Sequence, residues 1–147
     1  MKPEQSIVVE LVDEAGASLQ LAGVYVDLEL YTRGRYRYGF RLGATNNSGR
    51  ICIDYEMVEE KRSEGARVFL MDYNTPITDC DRRVKIHVPT ADELKKAYDG
   101  IGQWFEGKKP AYAEGWRTAN NAKIESKEIF AELQDGETFI RVPCALI

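Results

Sequence analysis

The chain has 147 residues, of which 44% are hydrophobic, and a net charge of −4. A chain of this length predicts a single domain, residues 1–147, that buries a core without metal or disulfide support. The negative charge argues against general nucleic-acid binding, and no apolar run approaches the ~18 residues of a membrane helix.

Sequence motifs for catalysis and cofactor binding are missing. There is no P-loop, nucleophile elbow, HExxH helix or dinucleotide fingerprint, so no cofactor and no metal are expected. Cys52, Cys80 and Cys144 form no CxxC pair, and we expect buried free thiols. His87 is the one histidine, and alternation predicts that it is a surface strand residue. The N-terminus lacks the apolar stretch of a signal peptide, which favours a cytoplasmic location.

The first half of the chain is predicted to be β-structure. β-branched residues predict a strand over 6–12, and clean alternation predicts another over 24–31. In the next alternating run, Arg35, Arg37 and Arg41 face outward, whereas the opposite face is apolar. That apolar face consists of Tyr36, Tyr38, Phe40 and Leu42. A three-residue loop, 32–34, joins the two runs and sets Tyr25 opposite Arg41.

The middle of the chain is less regular. A turn at 45–49 leads into a strand over 50–57, and residues 58–66 form either a charged loop or a short helix. Residues 67–73 are strand-like. Alternation resumes over 82–88, where Val84, Ile86 and Val88 are expected to face inward.

One helix and a hairpin complete the prediction. Thr90 and Glu93 form a capping box, which starts an amphipathic helix over about 91–106. This helix and the loop that follows it form an insertion in the sandwich at about 90–121. Asp135-Gly136 predicts a hairpin between 127–134 and 137–142. The fold class is therefore mostly β: an antiparallel Greek-key-like β-sandwich of about seven or eight strands.

Residues 7–57 resemble the prealbumin-like (transthyretin-like) sandwiches, including the regulatory domains appended to carboxypeptidases. The resemblance lies in the segments Leu21-Ala22-Gly23-Val24-Tyr25-Val26 and Ala44-Thr45-Asn46-Asn47-Ser48-Gly49-Arg50-Ile51. It implies a fold, not an activity, because the chain departs from both enzyme groups of that fold. Hydroxyisourate hydrolases end in Tyr-Arg-Gly-Ser and use histidines, whereas this chain ends in Pro-Cys-Ala-Leu-Ile. Intradiol dioxygenases need two histidines, and only one is present.

A basic island is the best candidate surface. Residues 31–50 contain five arginines and no acid. Because arginine binds carboxylates and stacks on rings, the hairpin face is predicted to bind a partner. The candidate residues are Tyr25, Tyr31, Arg33, Arg35, Arg37 and Arg41. The alternative is simple cross-strand pairing of these arginines with Asp27 and Glu29.

Two further groups allow other interpretations. Tyr112 and Trp116 are candidates for stacking against a ligand, with core packing as the alternative. Asp72, Asp79 and Asp81 flank a loop and either bind a cation or are solvated turn residues.

The leading hypothesis is a noncatalytic module that binds a protein partner or assembles with itself, with no nucleic acid or membrane involved. The alternative is a module that binds a small ligand, either carbohydrate or an anionic metabolite. A cofactor-free hydrolase that uses carboxylates ranks third.

Overall fold

The computed structural model describes residues 1–68, 74–96, 123–125 and 127–147, and within these it confirms a mostly β fold. The described ranges contain seven strands: β1 (Ser6–Val12), β2 (Tyr25–Thr32), β3 (Arg35–Ala44), β4 (Arg50–Asp54), β5 (Arg83–Val88), β6 (Lys127–Glu132) and β7 (Glu137–Pro143). Helix α1 spans Tyr55–Val68, and a short 3-10 helix spans Ile77–Asp79. Helix α2 begins at residue 91 and is described to residue 96.

The strands form two sheets. The three-stranded sheet has the order β4-β1-β7, in which β1 is antiparallel to β4 and parallel to β7. The predicted antiparallel arrangement is therefore wrong for the β1–β7 pair. The four-stranded sheet has the order β3-β2-β5-β6 and is antiparallel throughout. The apolar side chains of both sheets belong to one buried cluster, so they share a core. Val84, Ile86 and Val88 are fully buried in it, which confirms the predicted inward face of β5.

The predicted hairpin at Asp135-Gly136 is wrong, although both of its strands exist. β6 pairs with β5 in one sheet, whereas β7 pairs with β1 in the other. The turn, in which Gly136 has a φ of 83°, therefore carries the chain between the sheets. The error has a physical reason: alternation determines which face of a strand is buried but not which strand it pairs with.

The predicted strand over 50–57 ends early, at Asp54. The Asp54 carboxylate accepts a hydrogen bond from the backbone N–H of Met57 at 2.8 Å, which is the geometry of a helix N-cap. Tyr55 and Met57 therefore lie in α1, and Val58 is its fully buried anchor. The helical alternative for residues 58–66 is confirmed. The strand predicted over 67–73 is wrong at residues 67 and 68, because these are the last two residues of α1. The rest of that predicted strand lies outside the described residues.

The β2–β3 hairpin is confirmed, but its loop and register differ from the prediction. The loop has two residues, Arg33 and Gly34, with φ values of 54° and 75°, as in a type I′ turn. β3 then carries two register shifts, which leave Arg37 and Leu42 without partners in the ladder. Because each extra residue reverses the alternation, Tyr36 is 61% exposed instead of facing the core.

Two local motifs have the predicted geometry. In the turn at 45–49, the Asn46 side chain accepts hydrogen bonds from the N–H groups of Ser48 and Arg50. At the start of α2, Thr90 and Glu93 form the reciprocal bonds of a capping box. The predicted part of this helix beyond residue 96, and the loop to residue 121, lie outside the described residues.

Candidate functional site

The outer face of the four-stranded sheet carries an aromatic row near the β2–β3 turn. The Tyr31 ring meets Tyr36 edge-on, with centroids 6.4 Å apart, and meets Phe130 of β6 at 6.1 Å. Tyr36 is 61% and Phe130 is 49% exposed. The guanidinium of Arg83 stacks over Phe130, 4.1 Å from the ring centroid. We call Tyr31, Tyr36, Phe130 and Arg83, together with Arg33, Arg35 and Arg37, the tip surface.

The turn at the centre of the tip surface is held by one carboxylate. Asp81 accepts hydrogen bonds from the backbone N–H groups of Arg33 and Gly34, at 3.0 and 2.7 Å. The N–H of Asp81 in turn bonds to the carbonyl of Tyr31. Asp81 therefore positions the turn. Asp79 is exposed, and Asp72 lies outside the described residues.

The predicted arginine face is divided between different environments. Arg35 pairs with Thr32 and Arg37 stacks on Tyr38 at 5.2 Å, so neither shares the outward row of Tyr31 and Tyr36. Both are exposed, as is Arg33. Arg41, by contrast, lies at the far end of the hairpin and is largely covered. The structure thus brings three predicted arginines together at the turn and separates the fourth.

A cationic lysine lies in the middle of the face. Lys85 contacts Glu29 at 2.8 Å and Glu128 at 3.2 Å. The hydrogen bond to Glu29, followed by that to Glu128, raises the pKa of Lys85 above its usual value. Glu29 also accepts a hydrogen bond from the Tyr31 hydroxyl, and burial together with this bond raises the pKa of Tyr31. These contacts fix the orientation of Tyr31 within the row.

The end of the face away from the turn is a charge cluster. Arg41 donates two hydrogen bonds to the two oxygens of Asp27, each at 2.9 Å, and both side chains are about 15% exposed. The Nδ1 of His87 lies 3.6 Å from Asp27, and its Nε2 lies 3.2 Å from Glu93 of the capping box. His87 is therefore on the outer face, as predicted, but only 17% of its side chain is exposed. Tyr25 lies beside this cluster, and burial raises its pKa.

The environment of His87 favours its charged form. The hydrogen bond to Asp27 raises the pKa of His87 most, and the charges of Glu93 and Glu128 add to the effect against the opposing cost of burial. A carboxylate faces each ring nitrogen, and both carboxylates stabilise the protonated ring relative to the neutral one.

The opposite sheet carries an aromatic site that the sequence analysis missed. Phe139 of β7 is 43% exposed and lies between two guanidinium groups, with Arg50 at 5.6 Å and Arg141 at 5.2 Å. Glu10, which is 5% exposed, contacts both arginines. The signal was present in the alternation of residues 137–143, which places Phe139 on the outward side.

The cysteines differ from the expectation in exposure. All three are free, but Cys52 is exposed, Cys80 is half-buried and only Cys144 is buried. Cys52 faces outward because it lies between Ile51 and Ile53, which point into the core.

Comparisons with known proteins do not assign a family. No protein-family model matches the chain, and no curated protein matches its sequence. Within the described residues, no group of three or more metal-binding side chains lies together. In the same part of the chain, no helix is long and apolar enough to cross a membrane. Tyr112 and Trp116 lie outside the described residues, so the predicted small-ligand site stays a prediction.

Proposed function

We propose that this protein is a noncatalytic module that binds a protein partner, or a second copy of itself, through the tip surface. The observation that carries the proposal is the row of Tyr36, Tyr31 and Phe130 on a sheet face, in which Tyr36 and Phe130 are exposed. Aromatic residues and arginine are enriched in protein interfaces, and aromatic rings bury large areas while they lose little conformational freedom on binding. Tyr31 is already oriented by Glu29, which lowers the entropic cost of binding further.

The charged groups of the outer faces also support a noncatalytic role. Asp27 is bonded to Arg41, Glu29 to Lys85, and Glu10 to Arg50. Carboxylates that are neutralised by adjacent cations are poor acids or bases for hydrolysis, since catalytic carboxylates need an environment that shifts their pKa towards neutrality. The proposal includes the cytoplasmic location expected from the sequence.

The proposed fold is a Greek-key β-sandwich of the prealbumin-like type. It is supported by the single core shared by the two sheets and by the chain passing repeatedly from one sheet to the other. In immunoglobulin domains the first two strands share a sheet. Here β1 and β2 belong to different sheets, which argues against an immunoglobulin arrangement.

The test compares the wild type with the double variant Tyr36→Ser/Phe130→Ser. Analytical ultracentrifugation measures self-association, and quantitative affinity enrichment measures partners. The matched control is Phe139→Ser, which removes a similarly exposed ring from the opposite sheet. We expect the double variant to lose the dimer or the partner while the control retains it. If the double variant sediments like the wild type and enriches the same proteins, the proposal is wrong.

A further inference from the structure

The tip surface has an excess of positive charge that no ion pair among the described residues neutralises. Arg33, Arg35, Arg37 and Arg83 are all exposed. None of the four forms an ion pair with any residue in the described ranges, whereas the other two arginines of the basic island, Arg41 and Arg50, do.

The acids closest to these arginines are mostly engaged elsewhere. Both oxygens of Asp81 accept backbone N–H groups of the turn. Glu29 is bonded to Lys85 and to the Tyr31 hydroxyl. Glu132 is exposed and lies opposite Arg83 in the β5–β6 register. Three exposed guanidinium groups, those of Arg33, Arg35 and Arg37, therefore lie at the turn that ends the aromatic row, and that of Arg83 lies on the row itself.

We infer that the tip surface recognises an acid-rich segment of a partner protein, an inference that rests on the proposed function. Carboxylates of the segment pair with Arg33, Arg35 and Arg37, which can each present a planar donor edge to a carboxylate. An apolar side chain of the same segment packs on the Tyr36–Tyr31–Phe130 row. Charge thus selects the partner and the rings supply contact area.

A nucleic acid fits these observations less well. Successive bases stack on exposed ring faces, but Arg83 covers one face of Phe130 at 4.1 Å. Tyr31 and Tyr36 meet at an interplanar angle of 85°, so they offer no parallel pair of faces to neighbouring bases. The net charge of −4 repels a long polyanion more strongly than a short acidic segment.

The experiment is selection of a random displayed peptide library on the full chain, followed by fluorescence anisotropy with the selected peptides. The charge variant is Arg33→Ala/Arg35→Ala/Arg37→Ala. Its control, Lys2→Ala/Lys95→Ala/Lys96→Ala, removes the same charge from three exposed positions elsewhere. A single-stranded oligonucleotide is the competing probe.

We expect the selected peptides to be rich in Asp and Glu and to bind the charge variant about tenfold more weakly or worse, as for lost charge-assisted hydrogen bonds. The lysine control should bind like the wild type, and raised salt should weaken binding. The inference is overturned if no peptide is enriched, if those selected are no more acidic than the library, or if the oligonucleotide binds more tightly.

The same measurement separates the two proposals. Non-acidic peptides that bind the wild type but not Tyr36→Ser/Phe130→Ser would leave the proposed function standing and remove only the acidic partner. Acidic peptides that bind this double variant and the charge variant as well as they bind the wild type would place binding elsewhere and overturn both.

Discussion

The Asp27–Arg41 pair offers a quantitative test of how the outer face is held. In Asp27→Asn, Arg41 keeps its charge but loses its ion pair and one of the two hydrogen bonds of 2.9 Å, because the amide has one acceptor oxygen instead of two. Hydrogen bonds to charged groups contribute ~1.5–3 kcal/mol, and breaking a fully buried ion pair costs ~3–5 kcal/mol. Since both side chains keep about 15% exposure, we expect a loss of about 2–3 kcal/mol in the free energy of unfolding.

Urea unfolding at neutral pH measures this loss, and two comparisons isolate its cause. Glu59→Gln removes an ion pair from the surface of α1, where Glu59 and Arg62 are three residues apart, and should cost about 0.5 kcal/mol or less. In the double variant Asp27→Asn/Arg41→Met, the cost should fall well below the sum of the single changes. The stabilising role of the Asp27–Arg41 pair would be refuted if Asp27→Asn lowered the free energy of unfolding by less than about 0.5 kcal/mol. It would also be refuted if the effects of the two single changes simply added in the double variant. Peptide binding at the distant tip surface should be unchanged.

Three further predictions concern a titration, a turn and the tip. Because the folded state raises the pKa of His87, its stabilising effect is complete below the unfolded value of about 6.5 and is lost as pH rises through the folded value. The urea midpoint of the wild type should therefore fall as pH rises over that range, whereas that of His87→Gln should not. NMR titration of His87 should give a pKa above the unfolded value, and a pKa at or below that value would contradict the prediction. Gly49→Ala should lower the thermal midpoint more than Gly16→Ala does. Both glycines have a positive φ, but only at Gly49 would a Cβ lie 3.0 Å from a backbone nitrogen. Equal thermal midpoints of the two variants would show that this crowding is unimportant. Asp81→Ala should accelerate amide hydrogen exchange at Gly34, whose N–H it bonds at 2.7 Å, and unchanged exchange would mean that the turn holds itself.

Much of the fold follows from alternation, and the failures have identifiable causes. The strand at 6–12 was predictable from its β-branched residues, and the strand at 82–88 was predictable because its alternation is strict. The capping box that starts α2 was predictable because its bonds are local. The partners of β6 and β7 were not, since a Gly136 turn suits a hairpin and a crossing between sheets equally.

The candidate site was predictable in position but not in detail. The basic island identified the hairpin, yet the outward residue is Tyr36, because the extra residue at Arg37 reverses the alternation. Such a bulge depends on tertiary twist and leaves no mark in the hydrophobic pattern. Phe130 joins the row only through the β5–β6 pairing, which links residues far apart in sequence. The sequence could not show that contact.

The parallel pairing of β1 with β7 has a consequence for how the polypeptide reaches its native state. β1 cannot pair with β7 until both strands have been synthesised, because the ladder from Ser6↔Glu137 to Val12↔Pro143 joins segments that are far apart in the sequence. Contacts of such separation require a large loop to close before they contribute any free energy, and this slows folding. During synthesis, one side of β1 therefore stays without its neighbour until residues 137–143 have been made, which leaves an unpaired edge that is prone to aggregation.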